Sequence, residues 1–132
     1  AGVLEWLDLQ PFAHDLKRGL FGSSTGAAAA LMAAAELPDK VGAVVSRGGR
    51  PDLAGPALPK VQAPTLLIVG GHDEVVIDLN EEALDQMQEG AEKKLVIVPG
   101  ASHLFEEPGT LEHAARLATE WFQTHLSPVS VR

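Results

Sequence analysis

Two short apolar runs, Thr65–Val69 (TLLIV) and Leu95–Val98 (LVIV), constrain this chain more than any other feature of it. A strand with one wet face alternates apolar and polar side chains. A run that is apolar on both faces belongs in a parallel sheet covered on two sides. Each run is halted by a breaker pair, Gly70-Gly71 in the first case and Pro99-Gly100 in the second. Two more runs fit beside them, Lys17–Gly22 (KRGLFG) and the β-branched Val41–Val45. Helical stretches alternate with these runs. Ala27–Glu36 is dense in alanine and leucine and closes before Pro38. Leu79–Glu89 aligns Leu79, Ala83, Leu84 and Met87 on one face. Thr110–Leu126 has a full apolar side, with Thr110 as its expected N-cap. Arg47–Pro64, with four prolines, reads as a rigid but irregular connection. The alternation predicts an α/β fold of about four parallel strands, helices on both faces and right-handed crossovers. Gly2–Gln10 reads as the end of an amphipathic helix stopped by Pro11, and residues 127–132 as a frayed tail.

A length of 132 residues with 45% hydrophobic and 21% charged side chains fits a single domain over residues 1–132. The net charge of −8 disfavours phosphate backbones and anionic lipid, so neither nucleic acid nor membrane is an expected partner. The longest alanine-rich run, Ala27–Ala35, falls far short of the roughly 20 apolar residues that span a bilayer. With no signal peptide visible, a cytoplasmic location is the default expectation. Cysteine is absent, which removes disulfides, thiolate metal sites and a cysteine nucleophile together.

Ligands of an open parallel sheet gather beyond the carboxyl ends of its strands. Each strand is followed there by polar residues: Gly22-Ser23-Ser24-Thr25-Gly26, Ser46-Arg47-Gly48-Gly49-Arg50, Gly70-Gly71-His72-Asp73 and Pro99-Gly100-Ala101-Ser102-His103. The first fits G-x-S-x-G, in which a strand turns sharply into a helix, the glycines give room, and the central hydroxyl is pushed above the sheet. Ser24 is the candidate nucleophile, and the Thr25 N–H, opening the helix, is the candidate oxyanion donor. A hydroxyl needs a base, and His103 is the best placed. Asp73 can hold that imidazole in one tautomer and stabilise its cation. Each has a plainer reading: a helix-start serine, a capping aspartate, a solvated loop histidine. His72 is a weaker base, being adjacent to the acid that would orient it. Asp78 reads as the N-cap for the turn before Leu79. Ser23, Arg47 and Arg50 are candidate substrate contacts. The two arginines either bind a substrate carboxylate or phosphate or anchor their loop by pairing with Asp52. No cofactor is expected, since neither phosphate-loop motif occurs. No metal is expected, since His72, Asp73, Asp78 and His103 lack a recognised ligand spacing.

Four segments together, GLFGSSTGAAAAL, AVVSRGGRPDLAGPAL, APTLLIVGGHDEVV and LVIVPGASHLFEEPGTLEHAARLATEWF, resemble the C-terminal part of an α/β-hydrolase of the dienelactone-hydrolase-related subfamily. They cover most of Gly19–Phe122 in the order Ser24, Asp73, His103 expected of such enzymes. The resemblance implies Ser24 as nucleophile, Asp73 as acid and His103 as base. Dienelactone hydrolases proper use cysteine, so the serine implies a carboxylesterase acting on small, short-chain acyl esters rather than lactone opening. Full α/β-hydrolases place about four more strands before the elbow. The chain therefore reads as a minimal or truncated version whose first strand becomes an open edge, covered by homodimerisation or belonging to a longer protein. Related sequences are sometimes joined to a phosphoribosyltransferase-like domain, of which this chain shows no trace. Alternatives to the esterase are a non-catalytic α/β scaffold that needs a partner chain, and an acyltransferase.

Overall fold

The structure, a computed structural model, describes residues 18–87, 90 and 92–126. The expected helix over Gly2–Gln10 and the tail 127–132 lie outside them. One sheet contains β1 (Arg18–Ser23), β2 (Val41–Arg47), β3 (Thr65–Gly70) and β4 (Lys93–Val98). All three pairings are parallel, and the strands lie side by side in chain order. Helix α1 (Thr25–Glu36) joins β1 to β2, and a 3-10 segment (Pro51–Lys60) lies between β2 and β3. Helix α2 (Glu74–Gln86) joins β3 to β4, and α3 (Thr110–Leu126) follows β4.

When each strand is added beside the last in one direction, crossovers of one hand all fall on one face. The core has this arrangement. Leu20 and Val44 of the sheet pack with Leu31 and Ala34 of α1, Leu58 of the 3-10 segment and Ala83 of α2. On the opposite face Val45, Leu66, Ile68 and Val98 pack with Phe105 and with Ala114 and Ala118 of α3. The alanines of α1 allow it to lie close to the sheet, and five of its residues are buried. Every residue of β3 is buried, as its apolar run requires. The same expectation fails for β4, where Ile97 is 42% exposed. Among the described residues β4 is an edge strand, and the exposed Lys94 discourages further pairing there.

Three local expectations change. The connection after β2 is more regular than its prolines suggest: two short 3-10 turns meet at a kink at Gly55. Pro51 and Pro56 sit where the proline's missing N–H is least costly. Helix α2 begins at Glu74, five residues before Leu79, and the β-branched run Val75-Val76-Ile77 hides this first turn from a reading of helical period. Asp78 is therefore not an N-cap but an exposed residue inside the helix. Thr110 is the first residue of α3, and its hydroxyl donates to the Glu107 carbonyl (2.8 Å) instead of capping. At the far end of α2, the Lys93 ammonium donates to the carbonyls of Leu84 (3.0 Å) and Met87 (3.1 Å). That places a positive charge at the negative end of the helix dipole. Among the described residues no helix is long and apolar enough to cross a membrane.

Candidate active site

The elbow between β1 and α1 holds Ser24 at φ 50° and ψ −127°, a conformation that L-residues rarely adopt. The reason is steric. A Cβ at Gly22 would stand 2.5 Å from the Gly26 carbonyl oxygen, so strand and helix meet with no space between them. Gly26, in contrast, has open space where a Cβ would be, so only the first glycine of the motif is required by packing. Ser24 occupies the N-cap position of α1 but makes no capping bond with its side chain. Its Oγ lies 3.3 Å from His103 Nε2. The exposed Thr25 is the first residue of α1, where backbone N–H groups lack intrahelical partners.

Asp73 behaves in the same way at the head of α2. It is the N-cap residue, yet its carboxylate makes no capping bond. Its Oδ2 instead lies 2.7 Å from His103 Nδ1. In the tautomer with its proton on Nδ1, the imidazole donates to the carboxylate and presents Nε2 to Ser24 as an acceptor. The fold thus brings Ser24 from the end of β1, Asp73 from the end of β3 and His103 from beyond β4 into one line. His72 is exposed beside Asp73, and its backbone N–H donates to the Ala101 carbonyl (3.0 Å).

The loop bearing His103 is closed by Glu107, whose Oε1 accepts from the Ser102 N–H (2.9 Å) and hydroxyl (3.4 Å). The Ser102 N–H in particular holds the Glu107 carboxyl below the usual carboxylate range. Phe105, in the same loop, has a φ of 57° and is buried against the sheet.

The arginines after β2 separate. Arg50 makes a two-pronged ion pair with Asp52, at 3.0 and 2.9 Å. That bond lowers the Asp52 pKa and raises that of Arg50. This is the loop-anchoring alternative read from the sequence. Arg47 lies with its guanidinium 5.4 Å from the centre of the Phe105 ring, and its buried Nε has no partner. It borders an apolar groove of about 360 Å³ lined by Phe21, Leu111, Ala118 and Phe122 among others. Ser23 closes β1 in register with Arg47.

Two residues of this region escaped the sequence reading. Asn80 is fully buried on α2 and donates to the Gly49 carbonyl (3.1 Å). Its one signal is position, a polar side chain within the apolar stripe Val76, Ala83, Met87. Glu107 gives no periodic signal, because its partner is a backbone group in an irregular loop.

Comparison with known proteins bears on the family and the fold. A crystal structure of dienelactone hydrolase from Anabaena variabilis is 61% identical and superposes with a TM-score of 0.87 over 95% of this chain and 57% of that one. The esterase domain of a Rhodothermus marinus protein, at 20% identity, shares the fold with a TM-score of 0.75 over 93% of this chain and 66% of its own. Two Mycobacterium tuberculosis sequences bearing the provisional name phosphoribosyl transferase are each 59% identical over 124 residues. Those residues are 94% of this chain and 28% of each relative, so the chain spans little more than a quarter of their length. The dienelactone hydrolase family pattern runs from residue 3 to residue 126, leaving only the ends of the sequence outside it, and the chain belongs to that family.

Proposed function

We propose that this chain carries the catalytic residues of a serine carboxylesterase acting on small, short-chain acyl esters. The observation that carries the reading is the continuous line from Ser24 Oγ through His103 to Asp73, at 3.3 and 2.7 Å. In the reaction, Ser24 Oγ bonds to the ester carbonyl carbon as its proton passes to His103 Nε2. The C–O bond to the alcohol breaks, and the alcohol leaves with that proton. Water then gives a proton to the same nitrogen and attacks the acyl-enzyme. The acid departs, and the proton returns to Ser24. Asp73 stays ionised throughout and steadies the imidazolium. The Thr25 N–H supplies one contact to the oxyanion at the positive end of α1. A compact 3-10 segment after β2 supports an uncapped site, which suits short acyl groups.

The transferase name of the mycobacterial relatives belongs to proteins of which this chain matches 28%. In our reading the matched part is the hydrolase part, and the name refers to sequence outside it. The test is labelling by a fluorophosphonate together with hydrolysis of p-nitrophenyl acetate. Wild type should label and turn over. Ser24→Ala should do neither, and Asp73→Asn should lose about 10⁴-fold in kcat. Folded wild-type protein that neither labels nor hydrolyses the ester would overturn the proposal in favour of a non-catalytic scaffold.

A further inference from the structure

We propose that Asn80 is a positioning residue for the Ser24 elbow, acting across the loop that follows β2. The side-chain amide of Asn80 spends both of its hydrogens on backbone carbonyls, Val76 of its own helix (2.7 Å) and Gly49 of the loop (3.1 Å). Both partners can only accept, so chemistry alone fixes which end of the amide faces them. Its Oδ1 is buried with no partner. A leucine of the same branching carries no acceptor of its own but would take the donor from the Gly49 carbonyl, so the asparagine is explained by the bond to Gly49.

From Gly49 the connection continues to the nucleophile. The next N–H, that of Arg50, donates to the carbonyl of Ser24 itself (3.0 Å), which also accepts from Ala27 N–H (3.2 Å). The loop is pressed tightly at this point. A Cβ on Gly49 would stand 2.3 Å from Ser46 Oγ and 2.4 Å from Ala27 Cβ. Helix α2, which carries Asn80, begins immediately after Asp73. Asn80 thus ties the helix headed by the acid to the backbone of the nucleophile, a second link between them besides His103. A strained backbone persists only where its surroundings over-determine it. Without this brace Ser24 can relax toward ordinary dihedrals, and its Oγ then leaves the line of His103 Nε2. Loss of alignment without loss of a substrate contact lowers kcat and leaves KM nearly unchanged.

The catalytic half of this inference rests on the esterase reading; the structural half does not, and the experiment separates them. In the intact protein, Asn80→Leu is compared with wild type and with Glu81→Gly, which loosens the exposed side of α2 without touching Gly49. Asn80→Ala takes the place of the leucine variant if that fails to fold. Two quantities are read: amide hydrogen exchange at Arg50, and kcat and KM for p-nitrophenyl acetate. The Asn80 variant should exchange Arg50 at least about tenfold faster and lose about tenfold in kcat, with KM within about twofold. Glu81→Gly should lower the thermal midpoint and leave both readings near wild type. Unchanged exchange at Arg50 in the Asn80 variant, or an equal loss of kcat in Glu81→Gly, overturns the inference. If wild type turns over no ester, the esterase reading is what fails, and exchange at Arg50 alone then decides whether the brace exists.

Discussion

Ser24 combines a strained backbone with a side chain that forgoes its ordinary capping bond. Strain of this kind costs on the order of 1–3 kcal/mol, and a glycine would remove it. Glycine also gains unfolded-state entropy, which costs about 0.4–1 kcal/mol in the opposite direction. Ser24→Gly should therefore be more stable than wild type by about 1 kcal/mol in urea denaturation while losing all fluorophosphonate labelling. A variant no more stable than Ser24→Ala would show that the turn is not strained. At this scale the sequence was most legible where a residue acts through its own side chain at a strand end. Ser24, Asp73 and His103 each follow a breaker-terminated apolar run, so topology alone places them on one rim. Asn80 and Glu107 were not legible, because each works on a backbone group whose position depends on the finished fold. The arginines fall between. Their pattern left two readings open, and for Arg50 the structure gives the pairing with Asp52.

Elements whose signal is a run or a period were read closely, and those defined by local turns were not. The alanine-rich α1 and the apolar side of α3 survived with shifts of at most two residues. The first turn of α2 was missed because its β-branched residues look like strand, and the 3-10 turns were hidden among prolines. The loop between β4 and α3 has no period at all, and its shape depends on the carboxylate of Glu107. That group has a folded pKa below its unfolded value of about 4.3. Its contribution to stability is thus present in full above that value and is lost as pH falls through the folded pKa. Asp52, depressed by Arg50, acts in the same direction. Thermal midpoints measured from pH 6 down to about pH 3 should fall less steeply in Glu107→Gln than in wild type. Parallel slopes would mean that the Ser102 bond contributes nothing.

Across the whole molecule the sheet has two unlike margins among the described residues. The β4 margin carries lysines. The β1 margin presents Phe21, 45% exposed, beside Leu111, 49% exposed, and the groove against α3. An open apolar strand edge recruits another chain. The 132-residue chain on its own is therefore expected to run as a dimer or larger species in sedimentation, and Phe21→Lys should shift it toward monomer. A monomeric wild type would remove the homodimer from consideration.

The strands lie in chain order, yet the hydroxyl and the imidazole that meet above them are separated by 79 positions along the polypeptide, and the imidazole and its carboxylate by 30. No stretch from either half contains all three side chains. On the esterase proposal, a nascent polypeptide of this sequence would stay chemically silent until the fourth strand had joined the other three, and the reactivity of one hydroxyl would then report global order.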